Sequence, residues 1–406
     1  MTENAQHGRT AWYLSVNASD RVADAIFYGA LGYLVVEATT SAWSAAAVMA
    51  IASAPRALTL LPGGAKADKE GLVRVASWTL TARLIILLLM STLLTVTTGH
   101  NYVGVIVVVS AALFGLLDGL HLPAVDGMQR LLAEGRQLQQ LRGRTQAVGL
   151  AVSTAATPLG AVLAASAWPG AAPALAAGAL VVAATALRFG PRAERPAARS
   201  DQTMSAAMLE GLAAAWGDPR LRRPLILLVA ANLTTTAPIL LGLPLKSAAD
   251  HWASWQLGVA LGGWTLGSGL GAWHVSRVDE QIPFRRVLLL AGPGLFALAA
   301  LSLSSSWLIV LITVMLCGAS FSAAFVVTVT TLMTATAPEL AGRMQSLVTL
   351  TAATGVPVGY CAYAGLVALG VPLAGVMCAA SLGLVIVLVT RPIKLGQRAA
   401  QTARVK

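Results

Sequence analysis

The segments GRTQAVGLAVSTAATPLG (143–160) and GRMQSLVTLTAATGVPVG (342–359) align without gaps at a constant offset of 199 residues. They share a Gly-Arg pair, a glutamine two residues later and a Pro-x-Gly ending, at Gly143/Gly342, Arg144/Arg343, Gln146/Gln345, Pro158/Pro357 and Gly160/Gly359. Because the offset is close to half of the 406-residue chain, the alignment predicts two related halves, each containing one such segment.

The composition excludes a soluble globular chain. Hydrophobic residues make up 56% of the sequence and charged residues 11%, whereas an ordinary soluble domain has about 25% charged residues. Several apolar runs approach the roughly 20 residues that a helix needs to cross a bilayer. The sequence therefore predicts an all-α membrane protein with twelve transmembrane helices in two six-helix, pseudo-symmetric bundles, at 12–36, 42–63, 75–96, 102–124, 145–167, 171–189, 224–245, 253–274, 286–304, 307–333, 344–368 and 372–390.

A long polar stretch that is rich in proline and arginine separates the sixth apolar run from the seventh. We interpret it as a linker at 190–223, with a short helix over 203–216. The chain then divides into an N-terminal bundle at 1–189, a C-terminal bundle at 224–391 and a tail at 392–406.

Lysine and arginine fall almost entirely on one side of the predicted spans. Of 28 such residues, 24 lie in the termini, the linker and the loops that follow even-numbered spans, with Arg188 and Arg286 at the adjoining span ends included. Cytoplasmic loops carry this excess, so both termini and the linker are expected in the cytoplasm. The net charge of +11 is spread over many short loops, which argues against nucleic-acid binding. The Ala-, Gly- and Arg-rich composition favours a bacterial plasma membrane.

No pattern for a cofactor, a metal or an enzyme mechanism is visible in the sequence. The three cysteines, Cys317, Cys361 and Cys378, lie in apolar runs without the spacing of metal ligands. The sequence contains no nucleotide-binding loop and no nucleophile–base constellation. Its first ten residues are polar and lack the arrangement of a cleavable signal peptide. We therefore expect a monomeric, non-enzymatic protein without a cofactor, whose first span is retained.

The first span contains three charges within NASDRVADAI (17–26). Asp20 and Asp24 are four residues apart and Arg21 lies three residues before Asp24, so on a helix they share a broad face and can partly neutralise one another. Only about a dozen apolar residues follow Asp24 before Glu37, too few to cross the bilayer. Asp24 must therefore be embedded, whereas Asp20 and Arg21 can also lie at the membrane surface. An embedded carboxylate is a candidate proton carrier.

Further polar side chains lie in the third and fourth spans. Asp118 and His121 are one turn apart, and histidine changes charge close to neutral pH. His121 can equally be an ordinary residue at a helix end. Arg83 can form a structural pair with an acid or contact a substrate. We expect the remaining charges of the spans near the membrane surfaces, namely Arg56, Lys246 and Asp250.

The loop between the second and third spans, GAKADKEGLVR (64–74), resembles the signature of that loop in the major facilitator superfamily, Gly-x-Leu-Ala-Asp-Arg-x-Gly-Arg-Lys-x. The matching residues are Gly64, Ala67, Asp68 and Gly71, while Lys69 stands at the first arginine and Arg74 supplies a late positive charge. Gly64 and Gly71 permit a tight turn, and Asp68 can accept hydrogen bonds from the start of a neighbouring helix. The resemblance implies that this neighbour is the eleventh span, which opens at Gly342-Arg343, and that the contact is a latch closing the cytoplasmic side.

Other segments are similar to the drug-efflux branch of that superfamily, which includes macrolide and siderophore exporters: HLPAVDG (121–127), EGLAAAWGDPRLRRPL (210–225) and PELAGRMQSL (338–347). TARLI (81–85) keeps only the arginine of the branch's span-three motif, and the span-four arginine expected near Phe114 is missing. The span-five exporter signature is reduced to Thr157-Pro158-Leu159-Gly160, whose Pro-x-Gly recurs in span eleven at Pro357 and Gly359.

Two parallel six-helix repeats are typical of secondary transporters, with the substrate path between the halves. Together with the resemblance, this predicts proton-coupled export of an amphipathic or hydrophobic small molecule by alternating access. Asp24, together with Asp118, would exchange a proton for the substrate, and the partners would be the substrate, protons and the lipid bilayer. The alternatives are an importer of the same fold and a non-transporting membrane sensor or scaffold.

Overall fold

The computed structural model of the chain describes residues 3–38, 41–97, 100–132, 135–190, 212–213, 215–277, 282–336, 341–369 and 374–390. In these ranges the chain forms twelve helical rods. Their bounds are α1 Glu3–Ala38, α2 Ala42–Glu70, α3 Leu72–Val96, α4 His100–Leu132, α5 Gly135–Ala164, α6 Ala171–Arg188, α7 Pro219–Ala249, α8 Ser254–Ser276, α9 Val287–Leu303, α10 Trp307–Ala335, α11 Ala341–Ala368 and α12 Ala374–Thr390.

The predicted fold class, an all-α membrane protein of two six-helix bundles, is confirmed. By length and composition, seven helices of the described part are long and apolar enough to cross a membrane, and α5 and α12 contain shorter apolar segments. The charges of α1 interrupt its apolar run. α1 itself begins at Glu3, well before the predicted start of the first span, so Asp20 and Arg21 lie inside a continuous helix.

Helix pairing repeats between the two halves. In the first half α1 packs against α5 and α6, while α4 packs against α2 and α3. In the second half α7 packs against α11 and α12, while α10 packs against α8 and α9. A shift of six helices therefore maps one set of pairs onto the other, as the repeat at 143–160 and 342–359 predicts.

The turn between α2 and α3 differs from the sequence prediction. The predicted span ended at residue 63, but the helix continues to Glu70, so Gly64 is a buried helical residue and its expected part in the turn is wrong. Gly71 alone breaks the chain direction, with a φ of 99° that disfavours any side chain. Its N–H donates to the Ala67 carbonyl at 3.0 Å, which closes the end of α2.

Most of the predicted linker lies outside the described residues. Of the predicted short helix over 203–216, only 212–213 and 215–216 are described, and these are helical. α7 begins at Pro219, after Asp218 accepts a hydrogen bond from the Arg220 N–H at 2.8 Å. A π turn over Pro238–Gly242 interrupts this helix.

Close contact between α2 and α4 positions the polar residues of the first half. Gly115 and Gly119 of α4 lie directly against the backbone of α2 at Ala52 and Arg56. The Thr59 hydroxyl of α2 also donates to the Leu116 carbonyl of α4 at 2.8 Å. Because no side chains separate the two helices at these glycines, a side chain of α2 can reach across to an acid on α4.

The two halves meet mainly along two helix pairs, α5 with α8 and α2 with α11. At the first of these, the Pro158 ring of α5 lies against Gly262 of α8, which has no side chain to exclude it. Near the far end of α1, Gly32 lies against Pro244 of α7. The halves therefore touch through small residues, and the polar residues of α1 to α4 lie within the first half.

Candidate functional site

Arg83 of α3 is at the centre of a buried group of charges. Its side chain is 0% exposed and donates from one terminal nitrogen to Asp20 Oδ1 at 2.8 Å. The other terminal nitrogen donates to Asp24 Oδ1 and lies 4.0 Å from Asp118 Oδ1. One guanidinium from α3 thus holds two carboxylates of α1 and approaches a third on α4.

Aromatic rings pack against the same guanidinium. The Arg83 carbon Cζ lies 4.4 Å from the centre of the Phe114 ring, at cation–π distance, and Phe114 stacks on Phe27 with ring centres 4.2 Å apart. The sequence lacks the span-four arginine expected near Phe114. In the structure the guanidinium beside Phe114 is supplied from α3 instead.

A second arginine pairs with Asp118. Arg56 Nε of α2 lies 3.1 Å from Asp118 Oδ2, with side chains 33% and 3% exposed. The sequence predicts Arg56 near a membrane surface and names no partner for it, whereas the structure pairs it with Asp118. Sequence spacing could not reveal this pair, because it depends on the close approach of α2 and α4 at Gly115 and Gly119.

His121 joins the cluster through both nitrogens of its ring. Nδ1 lies 2.8 Å from the hydroxyl oxygen of Thr79, and Nε2 lies 3.2 Å from Asp20 Oδ2. The ring is 1% exposed, so His121 is a buried member of the cluster and not a residue at a helix end. Thr79 is not among the site residues predicted from the sequence, where its only signal is a position four residues before Arg83.

Arg21 does not take the part that sequence spacing suggested for it. It forms no ion pair within 4.0 Å among the described residues, and its side chain lies alongside Gly149 of α5. Arg21 therefore does not pair directly with Asp20 or Asp24, whose hydrogen-bond partner is Arg83, and its charge contributes less than that of Arg83 at both acids. Asp20, which could have been interfacial, is buried and bonded to Arg83.

The cluster contains three carboxylates and two guanidiniums. With every acid ionised and His121 neutral, its formal charge is −1. Asp24 has the most exposed acidic side chain, at 20%, and Arg56 the most exposed basic one. A net charge in a poorly solvated site is unfavourable, so the cluster favours binding one proton or one cation.

The second half contains no equivalent cluster in its described part. The Asn232 side-chain nitrogen of α7 lies 3.4 Å from the Thr351 hydroxyl of α11. The Lys246–Asp250 pair, at 2.9 Å, lies at the end of α7, as predicted from the sequence. The charge within the bundles is thus supplied by α1 to α4.

The candidate latch is only partly described. Lys69 and Arg74 are exposed on either side of Gly71. Lys66 lies 3.8 Å from Glu70 and its ammonium lies over the Trp78 ring. The side chains of Asp68 and Arg343 lie outside the described residues, as do the surroundings of Gly342, although α2 and α11 pack against one another.

The Pro-x-Gly elements of α5 and α11 make related contacts. Gly160 lies directly against the Ile26 carbonyl of α1, and Gly359 lies directly against the Leu233 carbonyl of α7. Each glycine therefore allows close packing of the first and fifth helices of its half. Pro158 additionally faces the other half through α8, whereas Pro357 is buried in α11.

Comparison with known proteins identifies the class. The sequence profile of the Major Facilitator Superfamily matches residues 14–360, which is most of the chain. The chain therefore belongs to the major facilitator superfamily. No curated protein sequence matches it.

Solved structures share the fold across almost the whole chain. The nucleoside transporter NupG has a TM-score of 0.72 at 11% identity, over 94% of this chain and 99% of that one. A D-xylose-proton symporter has a TM-score of 0.71 at 12% identity, over 95% and 97%. An auto-inhibited POT family peptide transporter has a TM-score of 0.69 at 13% identity, over 94% and 96%. Family and fold indicate a multi-pass transporter and not an enzyme.

Proposed function

We propose that the protein is a proton-coupled exporter of an amphipathic or hydrophobic small molecule, working by alternating access of its two bundles. The observation that carries the proposal is the buried group of three acids and two arginines in the first half. Such charges are expensive inside a bilayer and mark ion or substrate pathways in membrane proteins.

The net charge of the cluster provides a way to couple proton binding to substrate binding. One proton on the group brings its formal charge to zero, and loss of that proton restores a net negative charge that can attract a cationic substrate. Asp24 is the acid best placed to exchange with water, because its side chain is the most exposed of the three. Arg83 holds both Asp20 and Asp24, so a change at either acid alters the other's partner. Asp118 and Arg56 form a further ion pair in the same cluster.

Closure of the two ends would alternate. At one end, the cycle would open and re-form the contact of Gly32 in α1 with Pro244 in α7. At the other end, the latch would join the α2–α3 turn, with Asp68, Lys69, Gly71 and Arg74, to the start of α11 at Gly342-Arg343. In a bacterial plasma membrane, with both termini on the cytoplasmic side, this latch would close the cytoplasmic end of the transporter.

The test is transport by the full chain in cells and in inverted membrane vesicles, with ethidium, a macrolide antibiotic and an iron-loaded siderophore as probes. Energised vesicles should accumulate a probe, and Asp24→Asn should abolish the accumulation. Asp250→Asn is the matched control, because that acid pairs with Lys246 at the end of α7 and should leave transport unchanged. Normal accumulation with Asp24→Asn would contradict the assignment.

An importer is the second candidate, since the same buried cluster can couple proton entry to substrate entry. One of the structural neighbours is a D-xylose-proton symporter. Right-side-out vesicles with an imposed pH gradient separate the two directions. If no gradient moves any solute in either orientation, a sensor or scaffold becomes the better interpretation.

A further inference from the structure

The two nitrogens of the His121 ring face different partners. Nδ1 lies 2.8 Å from Thr79 Oγ1. Nε2 lies 3.2 Å from Asp20 Oδ2, at ion-pair distance but outside hydrogen-bond geometry. The other charges of the cluster, linked to one another by contacts within 4.0 Å, are Asp24 of α1, Arg56 of α2, Arg83 of α3 and Asp118 of the same helix as His121, and Arg21 of α1 acts on Asp20 and Asp24 from outside that distance.

Thr79 determines which ring nitrogen carries a hydrogen. A threonine hydroxyl has one hydrogen to donate and lone pairs with which to accept. Thr79 Oγ1 lies 2.7 Å from the Val75 carbonyl and 3.0 Å from the Ala76 carbonyl, both of which can only accept. With its hydrogen directed to the preceding turn, Oγ1 presents a lone pair to His121. Nδ1 is then the donor.

This arrangement leaves no proton on Nε2 when His121 is neutral. A neutral imidazole with a hydrogen on Nδ1 has a lone pair on Nε2. That lone pair would face the carboxylate oxygen of Asp20 at 3.2 Å, and the two would repel one another. One proton added to Nε2 makes the contact attractive. It also balances the formal charge of the cluster, whose acids outnumber its arginines by one.

Asp20 is the acid whose negative charge this proton would face. Its Oδ1 already accepts from Arg83 at 2.8 Å, while its Oδ2 faces His121. Asp24 also accepts from Arg83, and Asp118 contacts Arg56 through Oδ2 and approaches Arg83 through Oδ1, but among the described acids only Asp20 lies within 4.0 Å of a His121 nitrogen.

We infer that Nε2 of His121 stores the coupling proton beside Asp20, and that Thr79 is the residue that positions the ring to do so. The inference rests on the proposed function in one respect, namely that the proton stored on His121 is the one that drives transport. Loading forms one N–H bond with the Nε2 lone pair. Release breaks that bond and leaves the electron pair on nitrogen. The proton returns to water by way of Asp24, the most exposed of the three carboxylates. No electron transfer is involved.

The test is ¹⁵N magic-angle-spinning NMR of the full chain in lipid vesicles, with labelled histidine. His7, His100, His251 and His274 are replaced by glutamine, so that His121 gives the sole signal and the cluster remains intact. At alkaline pH the spectrum should contain a protonated Nδ1 and an unprotonated Nε2, and acidification should protonate Nε2 as well. Thr79→Val should shift the alkaline proton to Nε2, whereas Thr79→Ser should not.

Thr81→Val is the matched control. Thr81 lies on the same helix and makes the same backbone contact, to Ser77 at 2.9 Å, but it is exposed. It should leave the His121 spectrum unchanged. A neutral ring with its proton on Nε2 in the unaltered Thr79 background would overturn the inference, as would an imidazole that never gains a second proton while the protein stays folded.

A transport readout separates this inference from the proposed function. His121→Gln should abolish gradient-driven ethidium accumulation, whereas Thr81→Val, at an exposed position of α3 outside the cluster, should leave it unchanged. Unchanged accumulation would overturn the storage role even if export itself is confirmed. Absence of any transport by the unaltered chain would contradict the proposed function, and the tautomer measurement would still decide the position of the proton.

Discussion

Arg83 of α3 donates to Asp20 of α1 at 2.8 Å, and the two side chains come from helices 63 residues apart in the chain. The same guanidinium bonds to Asp24, one turn further along α1. α1 and α3 carry no other described pair of opposite charges that joins them. Arg83 thus joins two helices that both pack against α4 and α6, and it is the residue on which most of the cluster depends.

Replacement of Arg83 should destabilise the protein strongly. Arg83→Met leaves three acids with one arginine, and loss of one partner from a buried ion pair costs about 3–5 kcal/mol. We expect a clearly lower melting temperature in detergent. The double change with Asp24→Asn should recover part of the loss, because it removes one of the stranded charges. A melting temperature equal to that of the unaltered chain would show that the cluster is solvated in a way its burial does not indicate.

Arg56 and Asp118 should be coupled energetically. Arg56→Gln and Asp118→Asn each break the 3.1 Å contact, so the double variant should be less destabilised than the sum of the two. We expect a coupling of the order of 0.5–3 kcal/mol from a double-mutant cycle. The exposed Lys66–Glu70 pair, at 3.8 Å, is the comparison, and its coupling should be below about 1 kcal/mol. Equal coupling in the two pairs would argue against a special environment at Asp118.

Glycine at position 160 should be required for packing. A Cβ at Gly160 would overlap the Ile26 carbonyl of α1, so Gly160→Ala should cost about 1–3 kcal/mol through displacement of α5. Gly178 of α6 has open space around its Cβ position and serves as the control. Gly178→Ala should be neutral or stabilising by up to about 1 kcal/mol, because alanine favours helix. Similar melting temperatures for the two variants would contradict the packing.

A crosslink where α1 contacts α7 should stop transport. In a background with Cys317, Cys361 and Cys378 replaced by alanine, the pair Gly32→Cys and Pro244→Cys brings two thiols together where α1 touches α7. Oxidation should block probe accumulation, and a reducing agent should restore it. Each single cysteine variant should be insensitive to oxidant. Undiminished transport by the crosslinked protein would rule out opening at this end as a step of the cycle.

Much of the fold could be predicted because it follows from local properties. Apolar run length indicates membrane helices, and the repeat at 143–160 and 342–359 indicates two halves. The α2–α3 turn was placed too early, because Gly64 is compatible with a helix and only Gly71 adopts a left-handed φ. The positions of glycines in the sequence do not show which glycine lies in a helix and which forms the turn.

Most residues of the candidate site could be predicted from the sequence, but the way they pair could not. The length of the first apolar run required Asp24 to be embedded, and one-turn spacing linked Asp118 to His121. Helical spacing also suggested Arg21 as the partner of the α1 acids. Arg21 acts on these acids only from a distance, because neighbours on one helix need not point at one another, and the buried Arg83 of another helix makes the hydrogen bonds to them.

Hydropathy, the length of the apolar runs and internal similarity are properties of the sequence, and they are enough to indicate a membrane protein of two related halves with charged residues inside its first half. The pairings in the cluster are visible only in the folded chain: Arg83 binds Asp20 and Asp24, Arg56 reaches Asp118, and Thr79 and Asp20 face the two nitrogens of His121. Such pairings depend on how far each helix is rotated about its axis and how closely glycines let its neighbours approach.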